Sequence, residues 1–430
     1  MIRHALVAVI ELPPAQLAWL SFSEEETDDA RALIAALQRP GVIDELGFAP
    51  LVSAFAERFY PATTTIMTRC RYLFFVPAIY GYIERLPKLN GAKDLARKLQ
   101  GGLRETLKEN EGVDVIGVES EDEVKRLPSN VYWASLGALG IFKCDTSERA
   151  YLEHLDARVR QRKGVKDNND QLMREDEEPS WDPAFVVPEV DAEGRFRPKE
   201  AFALSVREAR QLQRRFSDLD EQRLTGPSLL SHLVEVRDTW WPADLDWPWS
   251  IERLPAELRR ATLHARALSN LARGVLLQYH HMLLLAQAAA GFAASDKVDF
   301  TTLFEQWWDE RADYGLTTWN LDELATLPLL ADVRSRRDDV AFFRQWLGAI
   351  LRCKTAAAAL DDTTAHQLVR DRERAKRPTK ARLQPRSQFL ETWGPRLARS
   401  YDGPFELGYR HGIGFSFVRD IVHALSGGKA

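Results

Sequence analysis

Helical spacing of apolar residues runs through most of this chain, and it constrains the fold more than any other feature. Leu46–Phe59 and Pro255–Ala294 carry apolar residues three and four positions apart, the pattern of a helix with a buried face. Ala, Leu and Arg, all good helix formers, are abundant throughout. The same pattern predicts helices at Ala92–Lys108, Ser129–Phe142, Ser147–Gln161, Ser205–Phe216, Asp338–Leu360, Thr364–Arg374 and Gly412–Leu425.

Strand-like patterns are rare by comparison. Val113–Val118 and Phe185–Val187 are short stretches rich in the β-branched and aromatic residues that strands favour. Because helical spacing outweighs them, we predict a mainly α, multi-helix protein of two packed helical domains with few short strands.

The domain boundary is predicted between Arg160 and Lys199, because a chain of 430 residues is too long for one ordinary core. This stretch has a basic run, an acidic run and four prolines, which is typical of a linker or a long surface loop. We therefore predict an N-terminal extension at 1–18, a helical domain at 19–163, a linker at 164–200 and a helical domain at 201–430.

Composition favours a soluble globular protein in the cytoplasm. The net charge of −5 argues against a globally basic nucleic-acid coat, although it allows a local basic patch. The three cysteines lie far apart, without metal-ligand spacing, which fits a reducing compartment. Gly274–Ala294 is long enough to span a bilayer, but it contains two glutamines and two histidines. We expect it to be a buried central helix, and we expect no membrane contact.

Two arginines stand inside the block Thr68-Arg69-Cys70-Arg71-Tyr72. A guanidinium donates hydrogen bonds in a fixed fork that matches the paired oxygens of a phosphate. Arg69 and Arg71 are therefore candidates for nucleic-acid contact. The alternative is that they pair with Asp44, Glu45 or Glu57 and hold helices together.

The most basic segment is Arg370–Arg386, which has eight Lys or Arg residues against two acidic ones and a net charge of +6. Such a run can neutralise successive phosphates, or it can be a solvated helix end with intramolecular ion pairs. The candidate phosphate contacts in this segment are Arg372, Arg374, Lys376, Arg377 and Lys380.

Candidate catalytic residues are carboxylates. Asp44 and Glu45 precede a helix, and Asp420 lies in the last one, so together they could hold a divalent metal for a nuclease. More often, a pair such as Asp44 and Glu45 caps the helix that follows it. Asp420 could equally form an ion pair with Arg410. Tyr279, His280 and the adjacent histidine are weaker candidates, since neighbouring histidines point in different directions on a helix.

Tryptophans cluster in the sequence TWWPADLDWPWS. Exposed rings could stack nucleic-acid bases, whereas the interleaved prolines favour a rigid loop that contacts the core or a partner. The candidate partner-binding residues are Trp240, Trp241, Trp247 and Trp249.

Several catalytic signatures are absent from the sequence. It contains no P-loop, no glycine-rich dinucleotide loop, no G-x-S-x-G elbow, no HExxH helix and no CxxC pair. We therefore expect no cofactor and no dedicated metal site, and we lean against an enzyme.

The order of these blocks resembles an uncharacterised prokaryotic family, domain-of-unknown-function family 6361. The resemblance is carried by Trp19–Ser23, Asp44–Gly47, the FYPATTTIMTRCRYLFFVPAIY block, Leu127–Ile141, Ala265–Leu284, Leu368–Leu383 and the closing LGYR and RDI. The family usually has Phe-Pro-Gly where this chain has Tyr60-Pro61-Ala62, and Asn where it has His280. The resemblance implies genes beside helicases and nucleases in phage-defence neighbourhoods.

Three hypotheses follow from the sequence. The first is a non-enzymatic accessory component of a bacterial antiphage defence system that binds DNA, a helicase or a nuclease. The second is a metal-dependent nuclease, which requires Asp44, Glu45 and Asp420 to converge, with Arg69 holding the phosphate. The third is a protein scaffold that uses the tryptophan cluster.

Overall fold

The computed structural model describes residues 44–86, 89, 91–117, 127–162, 179–191, 195–196, 202–237, 247–292, 298–313, 315–384, 387–391 and 407–427. Helices dominate these residues, so the predicted mainly α class is confirmed. The first group comprises α1 (Ala49–Phe59), α2 (Tyr72–Arg85), α3 (Ala92–Asn110), α4 (Pro128–Ala138) and α5 (Glu148–Arg162).

The second group begins with α6 (Val206–Arg223), which starts at a capping box. Ser205 Oγ accepts from the Glu208 amide at 3.2 Å, and Glu208 Oε2 accepts from the Ser205 amide at 2.7 Å. The helices that follow are α7 (Leu229–Val236), α8 (Ala256–Ala289), α9 (Phe300–Glu310), α10 (Leu321–Leu324), α11 (Arg336–Ile350), α12 (Ala356–Leu360), α13 (Thr363–Lys376), α14 (Gln388–Glu391) and α15 (His411–Leu425). Short 3-10 turns occupy Pro248–Ser250 and Pro328–Leu330.

The two segments predicted as strands are not strands in the described part of the chain, where the only bridge joins Phe142 to Trp181. Side chains satisfy their backbone groups instead. The Ile116 amide donates to the Tyr72 hydroxyl at 3.1 Å. Val186 exchanges two hydrogen bonds with the Gln211 amide group, at 2.7 and 3.0 Å. Because these side chains already pair with the backbone groups, the two segments do not need a neighbouring β-strand to satisfy them.

The long helix α8 lies in the core as far as Gln287, as predicted for the apolar stretch Gly274–Ala294, whereas residues 288–291 are exposed and 293–294 lie outside the described residues. A Cβ atom on Gly274 would lie 2.3 Å from the indole of Trp307, so the glycine permits close packing of α9 on α8. The Trp307 indole NH donates to the Asn270 carbonyl at 2.9 Å. Within the described residues, no helix combines the length and the apolar character needed to cross a membrane.

Side chains from both sides of the predicted linker at 164–200 contact one another. The Tyr60 hydroxyl lies 2.6 Å from His411 Nδ1, and Arg71 Nε lies 3.3 Å from Glu208 Oε1. The helix α15 packs against α6, α7 and α1. Much of the linker and the whole N-terminal extension lie outside the described residues. The division into two domains is not confirmed and stays a prediction.

Candidate functional site

The carboxylate of Asp44 caps the first helix. It accepts hydrogen bonds from the backbone amides of Phe48 and Ala49, the latter at 2.8 Å. These amides belong to the first turn of α1 and have no partner within the helix. Of the two interpretations that the sequence allowed for Asp44, the structure therefore favours the helix cap.

Glu45, in contrast, is buried and paired with arginines. One of its carboxylate oxygens accepts from Arg382 Nη1, and the same oxygen lies 4.0 Å from Arg377 Nη1. Burial raises the pKa of Glu45, while the positive charges of Arg382 and Arg377 act in the opposite direction. The pairing joins the loop before α1 to the turn after α13.

Glu373 is the central acceptor of the same cluster, although it stands in the most basic run of the sequence. Its fully buried carboxylate accepts from the Tyr279 hydroxyl at 2.6 Å and from the amides of Arg382 and Leu383 at 2.8 and 2.9 Å. This role of Glu373 was not predicted from the sequence. The helical spacing of Val369 and Glu373, four residues apart on the buried face of α13, was the available signal.

Arg372 cannot serve as the phosphate contact that we predicted, because its side chain is 6% exposed. Its Nη2 lies 2.6 Å from Asp339 Oδ1, and its Nε donates to the Leu46 carbonyl at 2.6 Å. The guanidinium also lies over the rings of Phe48 and Phe342. We call the buried set Glu45, Asp339, Arg372, Glu373 and Arg382 the α13 ion cluster, and it holds α1, α11 and α13 together.

Four other predicted cations lie at the C-terminal end of α13, at or near the surface. Arg374 is 68% exposed and contacts Asp371 at 2.8 Å, and Lys380 is exposed. Lys376 and Arg377 are partly exposed, each within 4.0 Å of a carboxylate of the α13 ion cluster. Because these cations exceed the exposed carboxylates, the end of α13 presents positive charge to solvent.

Arg69 and Arg71 lie in intramolecular ion pairs. Arg69 contacts both oxygens of Asp420, at 3.0 and 2.7 Å, and Arg71 contacts Glu208 at 3.3 Å. This is the alternative that the sequence left open, but with other partners than the acidic residues near α1. Since a bidentate pair already uses the donor fork of Arg69, the phosphate role loses its geometric basis there.

Asp420 is engaged by two neighbours, Arg69 and the Cys70 thiol, the latter at 3.4 Å. Burial raises the pKa of Cys70 well above its ordinary value, which keeps the thiol protonated and unreactive. Among the described residues, no three His, Cys, Asp or Glu side chains are placed to hold a metal ion. The convergence of Asp44, Glu45 and Asp420 that a nuclease requires is therefore not found.

The side chains of Tyr279 and His280 have structural roles. Tyr279 donates to Glu373, and burial raises the pKa of its hydroxyl. His280 Nδ1 lies 2.6 Å from the Leu276 carbonyl, and burial lowers the pKa of the imidazole to about 4. His280 is therefore neutral at physiological pH.

Trp247 and Trp249 form a stacked pair, with ring centroids 5.0 Å apart and planes 5° from parallel. Trp249 also contacts Tyr409 edge to face, at 6.4 Å between centroids. Both rings are partly exposed. Trp240 and Trp241 lie outside the described residues.

Comparison with known proteins gives a family and nothing closer. No curated protein and no solved structure matches this chain. The model of DUF6361, a family of unknown function, matches residues 15–424. That match covers almost the whole chain, including the α13 ion cluster and both arginines of the TRCRY block. The chain therefore belongs to the family of unknown function DUF6361.

Proposed function

We propose that this protein is a non-enzymatic, cytoplasmic accessory component of a bacterial antiphage defence system, and that it binds nucleic acid. The defence role is implied by the gene neighbourhoods that the family resemblance brings with it. The binding role is supported by one observation, the cluster of exposed cations at the C-terminal end of α13.

The charge distribution at this end favours phosphate contact. Lys380 extends into solvent, and Arg374 is 68% exposed although its Nη2 contacts Asp371. Glu373, the other acidic residue of the segment, lies inside the core. The buried ion pairs of Arg372 fix the position of α13, so the exposed cations stand on a rigid support. When such cations contact a nucleic-acid backbone, counterions that had condensed on its phosphates are released, which favours binding.

The non-enzymatic part of the proposal follows from the partners of the candidate carboxylates. Asp44 caps α1, Glu45 binds Arg382, and Asp420 binds Arg69. A carboxylate that is already engaged by a cation or by backbone amides is a poor general base and a poor metal ligand.

Fluorescence anisotropy with labelled duplex DNA, at 50 and 200 mM salt, tests the proposal. Neutralising one phosphate contributes about 0.9 to the slope of log K against log salt. The double variant Arg374→Ala/Lys380→Ala should therefore weaken binding at every sequence and reduce that slope by about 2.

The matched control is Arg210→Ala/Arg214→Ala, which removes two exposed arginines from α6 and leaves the net charge equal to that of the test variant. It should bind DNA as the unaltered protein does. Absence of binding at 50 mM salt would refute the nucleic-acid role, and equal losses in both double variants would refute its location at α13.

A second candidate function, a scaffold for a helicase or nuclease, is supported by the stacked Trp247 and Trp249 rings. Partly exposed aromatic rings held in a fixed geometry are typical of protein interfaces. If this surface binds a partner, Trp247→Ala should abolish co-purification of that partner while leaving DNA binding intact. Retention of the partner by the variant would contradict the scaffold role.

A further inference from the structure

A cleft of about 630 Å³ lies between the loop that follows α1, the helix α4, the segment that follows α4 and the start of α15. Its walls include Ala62, Thr63 and Thr64 from the loop, Trp133 from α4, and Arg410. Residues from three of the sequence blocks that carry the family resemblance therefore line this cleft. The volume falls in the range of small-molecule binding sites.

The backbone around this cleft is strained. Ala62 has φ +55°, Tyr409 has φ +47° and Arg410 has φ +61°, and L-residues rarely adopt such left-handed conformations. Of the five non-glycine residues with positive φ in the described part of the chain, Ala62 and Arg410 line the cleft, and Tyr409 directly precedes Arg410. Strain of this kind persists where the surrounding structure fixes a functional geometry, and it clusters at ligand sites.

The strained residues position a charged side chain. Arg410 Nη1 donates to the Thr63 carbonyl at 2.6 Å and also contacts the carboxylate of Glu57, which leaves the side chain 18% exposed at the cleft wall. The guanidinium is therefore held in place from both the α1 side and the loop.

The rest of the lining favours an anion. Arg223 and Lys143 are exposed cations of the lining, which also includes Arg410 and the carboxylates of Glu57 and Asp145. Lys143 Nζ also lies 3.9 Å from Asp182 Oδ1, so Arg223 contributes most of the surplus positive charge. Among the described residues, Arg223 has no ion-pair partner. A ligand with several negative oxygens would complete the contacts of these cations.

One further group points to a ligand with a flat apolar part. The Trp133 ring is fixed by a hydrogen bond from its indole NH to the Thr146 carbonyl, at 3.0 Å. It provides an aromatic surface within the same cleft.

We propose that this cleft binds a nucleoside phosphate, with the phosphates on Arg223, Lys143 and Arg410 and the base against Trp133. The site is separate from the cations of α13, and it does not depend on the nucleic-acid role proposed above. The proposal concerns binding alone and requires no chemical step.

Isothermal titration of the full chain with ATP, AMP and adenosine tests the proposal. We expect ATP to bind with a dissociation constant below about 1 mM, and adenosine to bind at least tenfold more weakly because it lacks the charge-assisted contacts. Adenosine binding as tightly as ATP, or no binding of any of the three, would overturn the proposal.

Two variants locate the site. Lys143→Gln and Arg223→Gln each remove an exposed charge from the lining of the cleft, so the fold should be retained. Each should weaken ATP binding by roughly five- to tenfold, whereas Arg214→Gln, on an exposed position of the same helix as Arg223, should not. Equal affinity in all three variants would refute the location.

Cys144 provides a readout that needs no substitution. This free cysteine is exposed at the cleft, whereas Cys353 is only partly exposed and does not line it. Bound ATP should slow alkylation of Cys144 by a maleimide and leave the rate at Cys353 unchanged, as followed by peptide mass spectrometry. An unchanged rate at Cys144 in saturating ATP would place the ligand elsewhere and overturn the assignment.

Discussion

Gly274→Ala should destabilise the protein even though alanine is the better helix former. The new methyl group would lie 2.3, 2.5 and 2.8 Å from three carbons of the Trp307 ring, far inside ordinary contact distance. Trp307 is fully buried, and its indole NH makes two hydrogen bonds to Asn270, at 2.9 and 3.0 Å. The ring can therefore move only by giving up those bonds or by displacing its neighbours.

The expected magnitude follows from three contributions. Overpacking of a core costs about 1–3 kcal/mol, and loss of the bifurcated hydrogen bond of the single indole NH costs about 1 kcal/mol. Against these, replacing glycine in a helix interior gains about 1 kcal/mol. The free energy of unfolding should therefore fall by about 1–3 kcal/mol in Gly274→Ala.

Urea denaturation, followed by tryptophan fluorescence, measures this difference. The matched control is Gly102→Ala, because Gly102 lies inside α3 with open space where its Cβ would be. That variant should be more stable than the unaltered protein, by up to about 1 kcal/mol. Trp307→Leu should lower the free energy of unfolding by at least about 1 kcal/mol less in the Gly274→Ala variant than in the unaltered protein. The reason is that the effects of two substitutions at residues in contact usually differ from additivity by about 1 kcal/mol. A Gly274→Ala variant as stable as the unaltered protein would refute the reasoning.

Three other predictions concern stability. In the folded state His280 stays neutral down to its pKa of about 4, whereas in the unfolded chain a histidine takes up a proton near pH 6.5. The free energy of unfolding should therefore decrease as pH falls from 6.5 to 4, by up to about 3 kcal/mol. Urea denaturation across this range should show a smaller pH dependence for His280→Asn. Glu373→Gln weakens three buried hydrogen bonds and should lower the free energy of unfolding by about 2–4 kcal/mol. Tyr279→Phe removes only one of them and should lower it by about 1 kcal/mol. Equal losses in the two variants would contradict this. Ala62→Gly should raise the melting temperature, since glycine adopts φ +55° without the cost of about 1 kcal/mol that alanine incurs.

Local patterns predicted the helices well. The helix α13 was predicted at Thr364–Arg374 and spans Thr363–Lys376, and α15 was predicted at Gly412–Leu425 and spans His411–Leu425. Both are set by apolar spacing and by residues at their own ends. The prediction of one helix over Asp338–Leu360 was wrong, because the chain turns after α11 and Thr355 caps a separate helix by accepting from the Ala358 amide.

The candidate site was less predictable, because the partners of its charged residues are distant in sequence. Arg69 pairs with Asp420 across 351 positions, and Arg382 pairs with Glu45 across 337. Charge alone cannot distinguish an arginine that faces solvent from one that faces a buried carboxylate. The difference depends on which face of α13 is buried: Arg372 lies on the buried face and Arg374 on the exposed face.

The contact of α15 with Tyr60, the residue directly after α1, has a consequence for biosynthesis. Tyr60 and His411 are 351 residues apart, and a Cβ atom on Gly414 would overlap the Tyr60 ring, so this helix fills its groove closely. While the chain is still emerging from the ribosome, the early helices lack this covering segment, and the apolar surface that it protects stays open. The core around Tyr60 can therefore close only after α15 has emerged, and the early helices are exposed to aggregation until then.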